Sequence, residues 1–321
     1  DIMKIQNPHD RFFKETLGKV EVAKDFLNNY LPGNIIKVID VDTLEPQKDS
    51  FINKELQEGF SDLLFKANIN NREGYIYFLF EHKSYTRKDI AFQLLRYMME
   101  IWETKSKKEK ADELPVIIPL VVYHGKDRWK IGTTLGEMIV GYKDLPEDIK
   151  KFTPNYEYLF YDLSQFTDDE IKGEAQLRIL FTTLRDIFTK DSKSLQDSVF
   201  RAVSYLRELD DKKTGIEYFE TLMRYIFNAR ADLTRADFNE VVKKIETTYP
   251  EGSEVVMTLA EIFREEGKEE GILKGMEVGA KQGKIEVAKN AIREGMELGL
   301  IEKLTGLPKK EIGKIAKEIE N

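Results

Sequence analysis

The chain has no cysteine, so a disulfide framework and thiolate metal sites are both excluded. Histidine is nearly as scarce. Among 321 residues only His9, His82 and His124 occur, and a histidine-rich site would have to draw on all three. Long apolar runs are also missing. The longest, Leu114 to Tyr123, is ten residues with two prolines, well short of the roughly 20 that span a bilayer. No apolar stretch follows the first residues, so no signal peptide is predicted and the expected setting is the cytoplasm. A basic excess is absent too. The net charge of −8 argues against a general nucleic-acid coat protein, but not against a nuclease whose cations are confined to one cleft.

What is present suffices for a large core: 41% hydrophobic residues, including 19 Phe and 14 Tyr, beside 34% charged ones. Asp10 sits where it can cap a helix through Leu17, and Glu21 to Tyr30 is amphipathic. Strands are predicted over 35–44, 60–69, 75–83, 116–123 and 156–162. Asn70-Asn71-Arg72-Glu73-Gly74 provides a turn between the second and third. Residues 89–107 carry Ile90, Leu94, Met98 and Ile101 on one helical face. The expected fold is mixed α/β, with a mixed sheet flanked by helices over 1–165. A helical subdomain over 166–253 and a helical tail over 254–321 follow.

The tail repeats glycine every four residues, at Gly267, Gly271, Gly275, Gly279 and Gly283. Each glycine costs a helix about 1 kcal/mol relative to alanine. A bare stripe that admits a second helix closely would offset that, and a homo-oligomer formed through the tail is the expectation; a linker that packs on nothing is the alternative. Leu300 to Pro308 reads as the centre of a helix-turn-helix shape. The last 21 residues carry five Lys against four Glu, too balanced for strong attraction to DNA.

The chemistry concentrates in Phe60-Ser61-Asp62-Leu63-Leu64-Phe65 and Tyr77-Phe78-Leu79-Phe80-Glu81-His82-Lys83. Ionised groups at the ends of apolar strands leave water only when paired or bound to metal. Alternation along a strand turns Glu81 and Lys83 to one face and His82 to the other, leaving the His82 backbone carbonyl as a hard oxygen ligand suited to magnesium. Asp62 joins Glu81 on one face only if paired residue numbers across the hairpin add to an odd total. Two carboxylates holding a divalent cation beside a lysine suit phosphodiester cleavage, because the lysine lowers the cost of forming hydroxide. A surface ion pair on a solvent-facing sheet explains the same residues without a function. Gln93 can hydrogen-bond an attacking water, and Arg96, one turn on, can approach a phosphate. Asp10 and Lys14 can add a carboxylate and a cation; a helix cap and a solvated side chain are their plain alternatives. His124 follows a buried strand, where a packed histidine is the ordinary outcome. A role in binding water or phosphate requires it to face Asp62.

Asp62, then Glu81-x-Lys83, then Gln93 resembles the PD-(D/E)XK nuclease superfamily. More narrowly, the chain resembles the Rpn family of recombination-promoting nucleases and transposase-like proteins. The matching stretches are Pro8 to Lys14, Val22 to Leu27, Phe60 to Leu64, Phe80 to Ser84, Gln93 to Tyr97 and Leu114 to Gly125. The resemblance implies a restriction-endonuclease-like core that cleaves DNA with Mg2+ or Mn2+ and is nucleoid-associated when acting, in recombination or phage defence. It implies Asp62 and Glu81 as metal ligands, Lys83 as the catalytic lysine and Gln93 as the helix-borne polar residue. The first-helix Glu of the superfamily has no obvious counterpart, and Asp10 is the candidate for it. A non-cleaving, oligomeric DNA-binding or regulatory module on the same fold is the rival expectation.

Overall fold

The computed structural model describes residues 7–47, 61–82, 88–109, 112–188, 191–230, 232–250 and 253–320. The chain divides into two compact units, one ending at Val256 and the other running from Met257.

The first unit is built on a five-stranded sheet in the order β1-β2-β3-β4-β5, formed by Ile39–Gln47, Ser61–Ile69, Arg72–Glu81, Val116–Tyr123 and Leu159–Asp162. The first three strands form an antiparallel meander; β4 and β5 join it in parallel. The parallel step from β3 to β4 needs a long crossover, and helix α4 (Ile90–Glu109) makes it. From Gly74 to Glu81 every residue of β3 is buried, because helices cover both faces of the sheet. On one face α1 (Pro8–Leu17) and α2 (Val20–Tyr30) pack through rings: Phe13 stacks on Phe80 at 4.2 Å and Phe26 meets Phe78 edge-on at 5.4 Å. On the other, α4 lays Ile90, Leu94, Tyr97 and Ile101 against Leu64, Tyr77 and Leu79. This is the mixed α/β architecture expected, a mixed sheet between helices.

Three local expectations are corrected. Residues 35–44 were expected to form a strand, but Pro32 and Gly33 open a short helix, α3 (Gly33–Ile36), and β1 starts at Ile39. The hairpin between β2 and β3 turns in two residues rather than five. Asn70 and Asn71 hold φ of 51° and 60°, the left-handed pair that a tight two-residue hairpin needs. Asp10 does not cap α1. Asn7 holds the cap position and Asp10 lies within the first turn, where its charge favours the positive end of the helix dipole.

Short helix α5 (Glu147–Lys150) lies between β4 and β5. Helices α6 (Ala175–Asp186), α7 (Ser192–Leu206), α8 (Lys212–Ala229) and α9 (Arg235–Thr248) follow, within the same compact unit as the sheet. Helix α1 packs against α6 and α8.

Helix α10 (Ser253–Arg293) is 41 residues long and contains the whole glycine series. In the second unit its last turns close a small core with α11 (Leu298–Thr305) and α12 (Lys309–Glu320), made by Ala288, Ala291, Ile301, Leu307, Ile312 and Ile315. Gly306, at φ 67°, ends α11 in the left-handed conformation that glycine adopts freely. Among the described residues, Gly275, Gly279 and Gly283 have no atom beyond their own helix backbone within 4 Å of where a Cβ would stand, and Ile272, Leu273, Met276 and Val278 are exposed beside them.

Candidate active site

The β2–β3 register is odd throughout. Ser61 pairs with Phe80 and Asp62 with Leu79, so Asp62, Leu79 and Glu81 project to the face covered by α4. Glu81 is 2% exposed and Asp62 is half-buried. Glu81 therefore does not lie on a solvent-facing sheet, since helices cover both faces of β3 and its side chain lies inside. Asp62 accepts a 2.9 Å hydrogen bond from the Tyr77 hydroxyl, two residues diagonal to it across the hairpin. Burial pushes the Tyr77 phenol well above its usual range and the Asp62 charge adds to the shift, so Tyr77 remains a donor. Tyr97 of α4 stacks on the Tyr77 ring.

Gln93 is buried in the first turn of α4, and its side-chain amide donates to Asp89 at 3.0 Å. Arg96, three residues on, is exposed. Lys83, the lysine of the expected trio, lies outside the described residues.

The structure gathers the other expected residues on the opposite face. The β3–β4 ladder ends with Glu81 opposite Tyr123, which sets His82 and His124 side by side at the same end of two parallel strands. His82 Nε2 lies 2.9 Å from Asp10 Oδ1. His124 is buried, with Nδ1 2.7 Å from the Leu184 carbonyl and Nε2 3.4 Å from His9 Nδ1. His9 completes the group, its Nδ1 2.8 Å from the Tyr225 hydroxyl. Phe80 and Phe188 stack on the His124 ring. All three histidines of the chain thus meet on the α1 side of β3. Desolvation, and secondarily the neighbouring His82, lowers the His9 pKa to about 4. Desolvation holds His124 well below the ordinary histidine range, with His9 a smaller cause. Asp10 and His124 are therefore not brought together with Asp62, and Lys14 stands half-buried on α1, one turn after Asp10.

Tyr77 and the histidine group were not foreseen from the sequence. Two signals carried them: Tyr77 shares a face with Glu81 by simple alternation, and Glu81-His82 and Tyr123-His124 repeat one acidic-or-phenolic residue followed by histidine at the ends of two strands.

Among the described residues no three His, Cys, Asp or Glu side chains gather closely enough to hold a metal ion. A cation here would have to rely on the two carboxylates of Asp62 and Glu81 and on backbone oxygen. That donor set, all hard oxygen and few in number, fits Mg2+, which keeps several of its waters. No described helix is long and apolar enough to cross a membrane.

The chain is similar over most of its length to proteins of Escherichia coli. It is 28% identical to the inactive recombination-promoting nuclease-like protein RpnE of strain K12 over 308 residues, 95% of this chain and 96% of that one. It is 29% identical to the recombination-promoting nuclease RpnA of strain K12 over 307 residues, 95% and 96% of the two chains. The recombination-promoting nuclease RpnD of strain O157:H7 is 29% identical over 257 residues, 79% of this chain and 93% of that protein. No solved structure matches. A family model described as "Putative transposase, YhgA-like" matches residues 7–215, which hold the sheet, the Asp62–Glu81 face and the histidine group. The chain belongs to that YhgA-like transposase family, together with its Rpn relatives.

Proposed function

We propose that this protein is a metal-dependent DNA endonuclease of the PD-(D/E)XK type, hydrolysing phosphodiester bonds in recombination, transposition or phage defence. The observation that carries the reading is the odd register of β2 and β3, which turns Asp62 and Glu81 to one buried face. Relatives named recombination-promoting nucleases, aligned over most of the chain, support it.

In this reading Asp62, Glu81 and the His82 carbonyl hold Mg2+ or Mn2+. When bound there, such a cation would supply Lewis-acid chemistry, offsetting charge on the phosphate and easing deprotonation of water. Lys83 orients the attacking water and takes part in removing its proton. Gln93, held by Asp89, aligns that water, and Arg96 and Lys14 contact phosphates of the DNA. Tyr77 keeps Asp62 in place and, with its raised pKa, stays protonated while doing so. His124 acts at most indirectly, from the other face.

A plasmid-nicking assay tests this with wild type, Asp62→Ala and Lys83→Ala in Mg2+ and in chelator. Nicking by wild type in Mg2+, absent in chelator and in Asp62→Ala, is expected. Equal nicking by Asp62→Ala would defeat the proposal. One observation favours a second reading, a non-cleaving DNA-binding module: the relative RpnE, 28% identical, is named inactive. Wild type that binds DNA but neither nicks it nor takes up Mn2+ would establish that reading.

We further infer that the protein self-associates through α10. The support is the stripe of Gly275, Gly279 and Gly283, open at every Cβ position and flanked by exposed apolar side chains.

A further inference from the structure

The β3–β4 ladder ends at Glu81 and Tyr123, and one more backbone bond follows, from the His124 N–H to the Glu81 carbonyl at 3.0 Å. The Glu81 carbonyl is thereby engaged. The next one, of His82, is the first beyond the ladder, and His82 itself lies outside any strand. A carbonyl that binds a cation needs a fixed backbone, and past the ladder the His82 side chain supplies an anchor. The His82 ring is two rotatable bonds from its own Cα, and its Nε2 is held 2.9 Å from Asp10 Oδ1, each side chain only 21% exposed. The hold is stiff because its anchor is stiff. Asp10 lies in the first turn of α1, whose Phe12 and Phe13 are buried, with Phe13 stacked on Phe80. The adjacent His9 ring stands 5.3 Å from His82, and its Nδ1 is tied to the Tyr225 hydroxyl of α8.

We propose that Asp10 is a positioning residue: by holding the His82 imidazole from α1, it orients the backbone of residue 82 and aims its carbonyl at the cation held by Asp62 and Glu81. This rests on the nuclease reading above, and it takes Asp10 away from the first-helix ligand role that the family resemblance suggests. Asp10 touches neither substrate nor cation. Outer partners that orient a ligand typically change metal affinity about 10- to 100-fold. Loss of aim is felt by the cation more than by DNA, so kcat falls while KM for DNA is kept. Asn at position 10 retains an oxygen that can accept from Nε2–H, and so restores part of the effect.

The test uses the full chain. Mn2+ affinity is measured by calorimetry, and kcat and KM by plasmid nicking. The variants are Asp10→Ala, Asp10→Asn, His82→Ala, the double variant Asp10→Ala/His82→Ala, and Asp62→Ala as the control of the site. Circular dichroism checks that each is folded. The expected result is Mn2+ binding weakened at least about 10-fold in Asp10→Ala, partial recovery in Asp10→Asn, and a double variant no worse than His82→Ala. Wild-type affinity and kcat in a folded Asp10→Ala, or losses from the two single changes that simply add, would overturn the proposal while leaving the nuclease reading intact. Mn2+ binding equal in wild type and Asp62→Ala would overturn both, because no cation site would remain to be aimed at.

Discussion

The histidine group makes the first unit acid-labile in a calculable way. His9 titrates near 6.5 in the unfolded chain and at about 4 in the folded one, because burial opposes its charge. A base whose folded pKa is depressed binds fewer protons when folded. Between those two values the unfolded state is favoured as pH falls, and the loss is complete only below about 4. From pH 7 to pH 5, His9 alone removes about 2 kcal/mol of stability, a large part of what a domain has. His124, shifted the same way, adds to the loss. Urea unfolding at pH 7 and pH 5 measures it. Both tryptophans, Trp102 and Trp129, lie in the first unit, so their fluorescence reports that unit alone. The comparison is with His9→Gln, which cannot take up the proton. The expected result is a drop between the two pH values that is smaller in the variant by about 2 kcal/mol. Identical drops in the two proteins would refute the argument that His9 is buried in its neutral form.

Four further outcomes are expected. Phe13→Ala empties a fully buried ring site against Phe80 and should cost about 3–5 kcal/mol in the same unfolding assay. Tyr77→Phe removes the hydroxyl that donates to Asp62 across the hairpin; a bond to a charged acceptor is worth about 1.5–3 kcal/mol, and a melting temperature unchanged from wild type would contradict it. Asn71→Gly suits the left-handed φ of 60° and should raise the melting temperature slightly, whereas Asn71→Val should lower it. Replacing Gly275, Gly279 and Gly283 together by alanine meets, among the described residues, no atom within 4 Å beyond the helix's own backbone and should raise helix content, by about 1 kcal/mol of propensity at each position. If the stripe is the seat of self-association, light scattering will show the same variant dissociating; unchanged assembly would exclude that stripe as the contact.

Which parts were legible in the sequence follows from the range of the interactions involved. The period of apolar residues located β2, β4 and α4 almost to the residue, because side-chain alternation is a local property of the backbone. The same alternation separated His82 from Glu81 before any partner was known. It failed only at the start of 35–44, where Ile35 and Ile36 suggested strand but the preceding Pro32-Gly33 turned the chain into a helix first, so that the strand begins at Ile39.

The sequence by itself determined the mixed α/β pattern and the family, and it singled out the two carboxylates as candidates. Only the tertiary structure decided what those residues face. Register depends on pairing between strands, and it turned Asp62 to the side of Glu81 rather than away. Burial depends on helices far along the chain: α4 covers Leu64, Tyr77 and Leu79, and Glu81 at the end of the same strand is 2% exposed. The meeting of His9, His82 and His124 depends on parallel pairing across a long crossover and on α1 returning to the ends of those strands. None of these is encoded in neighbouring residues; each is a sum of distant contacts, which is why Asp10 read as a helix cap in the sequence and is a partner of His82 in the fold.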